Sequence, residues 1–259
     1  MLQTPLLFVS HGAPTFAIDG GALGQELDVI GRSFTKVKAI LAISPHWQTK
    51  HLTLTTGTKL STIHDFYGFG EELNAIEYPA HGDPTIASSI KDLLVEHGYS
   101  AEEDSERGLD HGVWTVLVHL LPKANIPIIQ LSMPSNLTSR SAYELGRILS
   151  PLRQDNILIL ASGGITHNLY ELKPQTSQAP DYVYEFTSWI RKAITNEDHD
   201  TLIRYRELAP HAERAHPTDE HLLPLIIAYG AKNLNENLKI MKGDVTYGVI
   251  HTESYAWGM

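Results

Sequence analysis

Three apolar runs in the chain each end at a histidine: PLLFVSHG at His11, VKAILAISPHW at His46 and NILILASGGITHN at His167. Near-continuous Leu, Ile and Val mark strands buried on both faces of a parallel sheet, whereas strands with one wet face alternate. IPIIQLSM is a further run of the first kind, and the short LTLTTG alternates. Between the runs the period becomes helical. Asp83 and Pro84 form a helix start, with Asp as N-cap and Pro at the first helical position; Ile86, Ile90, Leu93 and Leu94 share one face, and Gly98 ends the helix. Gly20 and Gly21 precede a short amphipathic stretch that reaches Ile30. Residues 108–121 form a second helical stretch, apolar on most faces and therefore buried, which Pro122 stops. A helix over about 139–153 has Tyr143, Leu145, Ile148 and Leu149 as its inner stripe.

The second half continues the pattern. Residues 171–180 are polar with two prolines and read as a loop before a helix over 182–194, and 199–208 is also helical. Thr218 is placed to cap a helix running to Tyr229, in which Pro224 either loses a backbone hydrogen bond or shifts the start. DVTYGVIHTESYAWG supplies one or two closing strands. Strands alternating with helices predict a single α/β domain over residues 1–259, with a central, mostly parallel or mixed sheet flanked by helices. In such sheets ligands bind in the crevice at the strands' carboxyl ends, where the three histidines fall.

Composition narrows the chemistry. A chain of 259 residues, 42% hydrophobic, is long enough to bury one substantial core. Its net charge of -10 opposes nucleic acid and anionic membranes, which recruit clustered Lys and Arg, and so points to small-molecule partners. Cysteine is absent, which excludes disulfides, thiolate metal sites and cysteine nucleophiles, so any metal must take N and O ligands. The first residues lack the basic start of a signal peptide, and no run reaches the roughly 20 apolar residues of a membrane span; a cytoplasmic protein is expected.

Fourteen histidines sort by context. His51, His81, His97, His199, His211 and His251 have polar or turn neighbours and read as surface or hydrogen-bonding residues. His119 lies in the apolar helix and reads as a satisfied core histidine. His11 and His46 close two strands, beside Gly12 and beside Pro45 and Trp47. His167 follows the Ser162-Gly163-Gly164 turn, where glycines allow a backbone to approach a ligand closely. Imidazole is the commonest metal ligand, and three strand ends converging on one crevice suit a divalent metal. His111, in Leu109-Asp110-His111-Gly112, opens a helix and is a candidate acid–base residue or a turn cap. His64 and Tyr67 lie in a loop with Phe66 that is a candidate substrate wall, together with Phe16 and Trp114. His221 leads into an apolar face and is a candidate fourth ligand or substrate donor, with His216 five residues before it.

The blocks HGAPT, SPHW, TIHDFYGF, LDHGVW, ASGGITHNL and HPTDEHLLPL, in this order, resemble the class III extradiol ring-cleavage dioxygenases, specifically their DOPA-dioxygenase-like, LigB-like branch. The resemblance covers nearly the whole chain. It implies a non-haem Fe(II), often replaced by Zn(II), that cleaves a single-ring catechol of DOPA-like or caffeate-like form with O2. It also implies that His11, His46 and His167 hold the metal, that His221 is close to it and that His111 is an acid–base residue. The protocatechuate-cleaving branch instead has a glutamate ligand and a catalytic histidine after a similar Ser-Gly-Gly turn. His167 and His221 are therefore each candidates for both ligand and catalytic roles. Zinc-assisted hydrolysis and a non-catalytic metal-binding relative of the same fold are the alternatives to test.

Overall fold

The long apolar runs become the middle of one sheet in the computed structural model, which describes residues 4–175 and 178–259. The strands in chain order are β1 (Leu6–Ser10), β2 (Ala39–Thr49), β3 (Leu52–Thr55), β4 (Lys59–Leu60), β5 (Ala80–His81), β6 (Ala101–Asp104), β7 (Ile128–Pro134), β8 (Ile157–Gly163), β9 (Leu238–Met241), β10 (Val245–Thr246), β11 (Ile250–His251) and β12 (Ser254–Trp257). Eight of them form a sheet in the order β6-β3-β7-β2-β8-β1-β12-β9, while β4 with β5 and β10 with β11 make two small ribbons. The centre, β7-β2-β8-β1, is parallel. Antiparallel pairing of β3 with β7 on one side, and of β12 with β1 and with β9 on the other, makes the whole sheet mixed.

Every residue of β1 and β8 is buried, because helices cover both faces of the sheet. Leu6 and Phe8 point into a core with the helices Pro84–Glu96, Ser139–Leu149, Asp181–Thr195 and Leu223–Ala231. Leu7 and Val9 point into the other core, with the helices Gly21–Arg32 and His111–Leu120. This is the expected single-domain α/β architecture with flanking helices.

Boundaries differ where tertiary pairing overrides local pattern. β2 continues past His46 to Thr49, and between its pairs Ile43–Leu131 and Gln48–Met133 it takes five residue steps against two on β7. That bulge lifts Ser44, Pro45, His46 and Trp47 out of the ladder at the crevice. The helix predicted over 139–153 ends at Leu149 and tightens into a 3-10 turn over Ser150–Asp155. The helix predicted from Thr218 starts at Leu223 instead, so Pro224 falls in its first turn, where its missing N–H costs nothing. Residues 199–208 break at Arg204 into two short helices, His199–Ile203 and Tyr205–Leu208. β4, β5, β6 and β9 went unpredicted, and the closing run holds three strands, β10, β11 and β12, where one or two were expected. Of the 171–180 loop, Thr176 and Ser177 lie outside the described residues.

Candidate metal and acid–base site

The carboxyl ends of β1, β2 and β8 bring histidines together at one end of the sheet. His11 follows β1 directly, and its backbone N donates to Gly163 O at the end of β8 (3.0 Å). His46 rides the β2 bulge. His221 arrives on the segment before Leu223–Ala231, which is pinned to the end of β8 by Gly164 N donating to His221 O (2.9 Å). Two further bonds close the same seam: His167 N to Ala215 O (2.8 Å) and His216 Nε2 to Ile165 O (2.8 Å).

His11, His46 and His221 form a triangle with ring centroids 5.1, 5.7 and 5.1 Å apart, and one ring nitrogen from each falls within 4.8 Å of the others. His167 is not in that group. Its ring stacks on His221, with centroids 3.3 Å apart and planes 9° from parallel, and its nitrogen groups with His221 and Glu220. The structure thus brings His221 to His11 and His46, with His167 one ring further out.

Hydrogen bonds set the ring tautomers. Ser162 Oγ donates to Gly112 O, which uses its only hydrogen, so toward His11 it can only accept. His11 Nδ1 therefore carries the proton and donates to Ser162 Oγ at 2.8 Å, leaving a lone pair on Nε2. His11 Nε2 lies 3.2 Å from His46 Nε2, and His46 Nδ1 faces Asp65 Oδ2 at 3.6 Å. His221 Nδ1 donates to the Glu220 carboxylate at 3.0 Å, while its Nε2 is buried without a hydrogen-bond partner. A buried, unpartnered ring nitrogen calls for an explanation, and a cation supplies one. Two nitrogens about 2.1 Å from one ion lie about 3.0 Å apart at right angles and about 3.4 Å apart in a tetrahedron, so the 3.2 Å His11–His46 separation fits shared coordination. The residues fit a divalent metal.

Electrostatics agree with a neutral imidazole cluster. Burial, then His46, drives His11 well below the usual histidine range; burial, then His167, does the same to His221. Burial and the His111 ring bring His46 to about 3, and burial brings His167 to about 4. Unprotonated imidazole is the form that binds metal.

His111 is the first residue of the helix His111–Leu120, with its ring 4.0 Å from that of His46 and 5.6 Å from that of His11. Both its backbone N (2.9 Å) and its Nδ1 (3.0 Å) donate to Asp65 Oδ1. Burial opposes ionisation of Asp65, but the His111 donors outweigh it and hold the carboxyl at about 2. Asp110, the residue before His111, makes no capping bond and instead accepts from Gln130 beneath the site.

The proposed walls are divided. Phe66 packs edge-on to His111 at 5.7 Å, and Phe16 lines a cleft of about 350 Å³ together with Gly12 and Ala13, the residues after His11. Trp114 is fully buried and donates to Ile63 O. His64 Nε2 donates to Ile76 O at 3.0 Å, across the short helix Glu71–Asn74, and Tyr67 is 94% exposed. His119 donates to Phe16 O, and buried His251 accepts from Glu253 N, as satisfied histidines should. Asp65, Ser162 and Glu220 were missed as site residues. Asp65 and Glu220 each adjoin a candidate histidine in sequence, His64 and His221, and Ser162 opens the Ser162-Gly163-Gly164 turn.

Comparison with known proteins identifies the family. Residues 6–256 match the family described as the catalytic LigB subunit of aromatic ring-opening dioxygenase. The chain is 36% identical over 252 residues to a 4,5-DOPA dioxygenase extradiol of Beta vulgaris, covering 96% of this chain and 94% of the relative. It is 31% identical over 242 residues to the 4,5-DOPA dioxygenase extradiol of Escherichia coli strain K12, covering 92% and 89%. A solved structure of an uncharacterized Escherichia coli K12 protein superposes with a TM-score of 0.82 at 28% identity, over 98% of this chain and 99% of that one. The chain belongs to the LigB family of aromatic ring-opening dioxygenases. It is an extradiol ring-cleavage dioxygenase.

Proposed function

We propose that residues 1–259 form one catalytic unit that opens a single-ring catechol, DOPA-like or caffeate-like, with O2 at an Fe(II) held by the Nε2 atoms of His11, His46 and His221. The observation that carries this reading is the convergence of three neutral imidazoles, one with a buried and unpartnered Nε2. The names of the Beta vulgaris and Escherichia coli relatives support the DOPA-like choice. Fe(II), when bound, supplies open coordination positions for both substrates and the redox capacity that Zn(II) lacks.

The chain's own residues do the rest. Ser162 and Glu220 each take the Nδ1 proton of one ligand and aim its Nε2 inward. His111, protonated on Nδ1, receives a catechol hydroxyl proton at Nε2. The proton that His111 takes up returns from it to the opening ring, and His167, stacked on His221, offers a neutral ring as a hydrogen-bond partner to the bound catechol. Phe66, against His111, keeps bulk water from the proton path. His64 and Tyr67 form the outer loop of the substrate entrance.

Anaerobic metal loading tests the reading. The Fe(II) protein should take up oxygen when given catechol and air, and His111→Ala should retain metal and catechol while losing turnover by about 10²-fold or more. Activity that requires Zn(II) and ignores oxygen would identify a hydrolase. Catechol binding without turnover in the Fe(II) form would identify a binding protein.

A further inference from the structure

The carboxylate of Asp65 lies on a loop far in sequence from the helix it serves. It lies 46 residues before His111, yet one of its oxygens receives both N–H groups that His111 offers, from the backbone at 2.9 Å and from ring Nδ1 at 3.0 Å. It therefore does the capping work that Asp110 leaves undone at the start of the helix His111–Leu120. Its second oxygen faces His46 Nδ1 at 3.6 Å. The Asp65 side chain is 27% exposed and that of His111 only 8%, so the pair sits at the edge of the site with the imidazole inside.

The ring bond has a chemical consequence. A neutral imidazole carries one ring proton, and the nitrogen that donates to a carboxylate keeps it. The backbone bond fixes the start of the helix to the same oxygen, so neither rotation of the ring nor displacement of the helix end escapes the constraint. We infer that Asp65 is a positioning residue for ring opening, which holds His111 as its Nδ1–H tautomer with Nε2 unprotonated beside the His11–His46–His221 cluster. This inference rests on the dioxygenase reading of the site. Asp65 acts on the reaction through His111.

The test combines tautomer and rate. In the Zn(II)-loaded protein labelled with ¹⁵N-histidine, His111, assigned by its loss in His111→Ala, should show a protonated Nδ1 and an unprotonated Nε2. Asp65→Ala should move its proton toward Nε2, and Asp65→Asn, which keeps an acceptor oxygen, should restore the original pattern. With Fe(II), Asp65→Ala should lower kcat per bound metal by about 10- to 100-fold with little change in KM, Asp65→Asn should recover most of the loss, and Asp65→Ala should cost nothing further in a His111→Ala background. An unchanged nitrogen spectrum in Asp65→Ala, or an equal fall in kcat with and without His111, overturns the inference. A wild-type Fe(II) protein that consumed no oxygen would remove the dioxygenase reading, while the nitrogen spectrum would still judge the hold of Asp65 on His111.

Discussion

Ser162 shows how little of the proposed metal site lies in its ligands. Its hydroxyl is committed to Gly112 O, so it sets the His11 tautomer by what it cannot donate. Ser162→Ala should therefore weaken metal affinity about 10- to 100-fold, measured by competition with a chelator, without removing a ligand. His221→Ala should abolish tight binding, whereas His167→Ala should keep the metal and lose turnover; metal retention in His221→Ala and loss in His167→Ala would exchange their roles. The histidines at strand ends were legible in the sequence because a polar residue closing an apolar run has few other reasons to be there. His221 in place of His167 beside His11 and His46 was not, since choosing between them needs the seam between residues 163–167 and 215–221. Asp65 and Ser162 were hidden because their partners lie 46 and 151 residues away.

The elements hold the site by close approach. A Cβ at Gly163, the last residue of β8, would come 2.4 Å from His221 O and 3.2 Å from the Phe8 ring. Backbone cannot yield there. Gly163→Ala should push the His221 segment off the sheet, destabilising the fold by about 1–3 kcal/mol and lowering metal affinity, as read by melting and metal titration. The helices Ser139–Leu149 and Leu223–Ala231 cross as closely, with Cβ positions at Gly146 and Gly230 falling 2.0 Å from Ile227 O and 2.2 Å from Tyr143 O. That crossing anchors the helix next to His221. The central strands were legible because both faces are buried. β6, with the sequence AEED, was not: it pairs only with β3 at the sheet edge, and no residue of it is buried, so neither apolar run nor alternation marks it. The bulge in β2 was equally hidden, because local pattern does not count residue steps against a partner strand.

Over the whole molecule, several histidines are buried in their neutral form. Burial lowers His46 to about 3, and His167 and His216 each to about 4. In the unfolded chain the same groups take up protons near pH 6.5, so between about 6.5 and 4 the unfolded state binds more protons than the fold. Stability is thus fully present above about pH 6.5 and is lost as pH falls, at up to about 1.4 kcal/mol per pH unit for each such histidine. Metal-free protein should melt at lower temperature at pH 5 than at pH 7, and bound metal should move that loss to lower pH; a flat melting temperature would contradict it. The overall architecture and the end of the sheet that carries the histidine cluster follow from the order of apolar runs, and the net charge of -10 favours small-molecule partners. The proposed role of the histidine cluster is to activate catechol and oxygen together. Oxygen uptake by protein loaded anaerobically with Fe(II) and then given air and a panel of single-ring catechols tests it most directly. Consumption of one O2 for each catechol, with a yellow ring-opened product and no turnover in the Zn(II) form, is the predicted result; Fe(II)-loaded protein that consumes no oxygen with any of these catechols would contradict it.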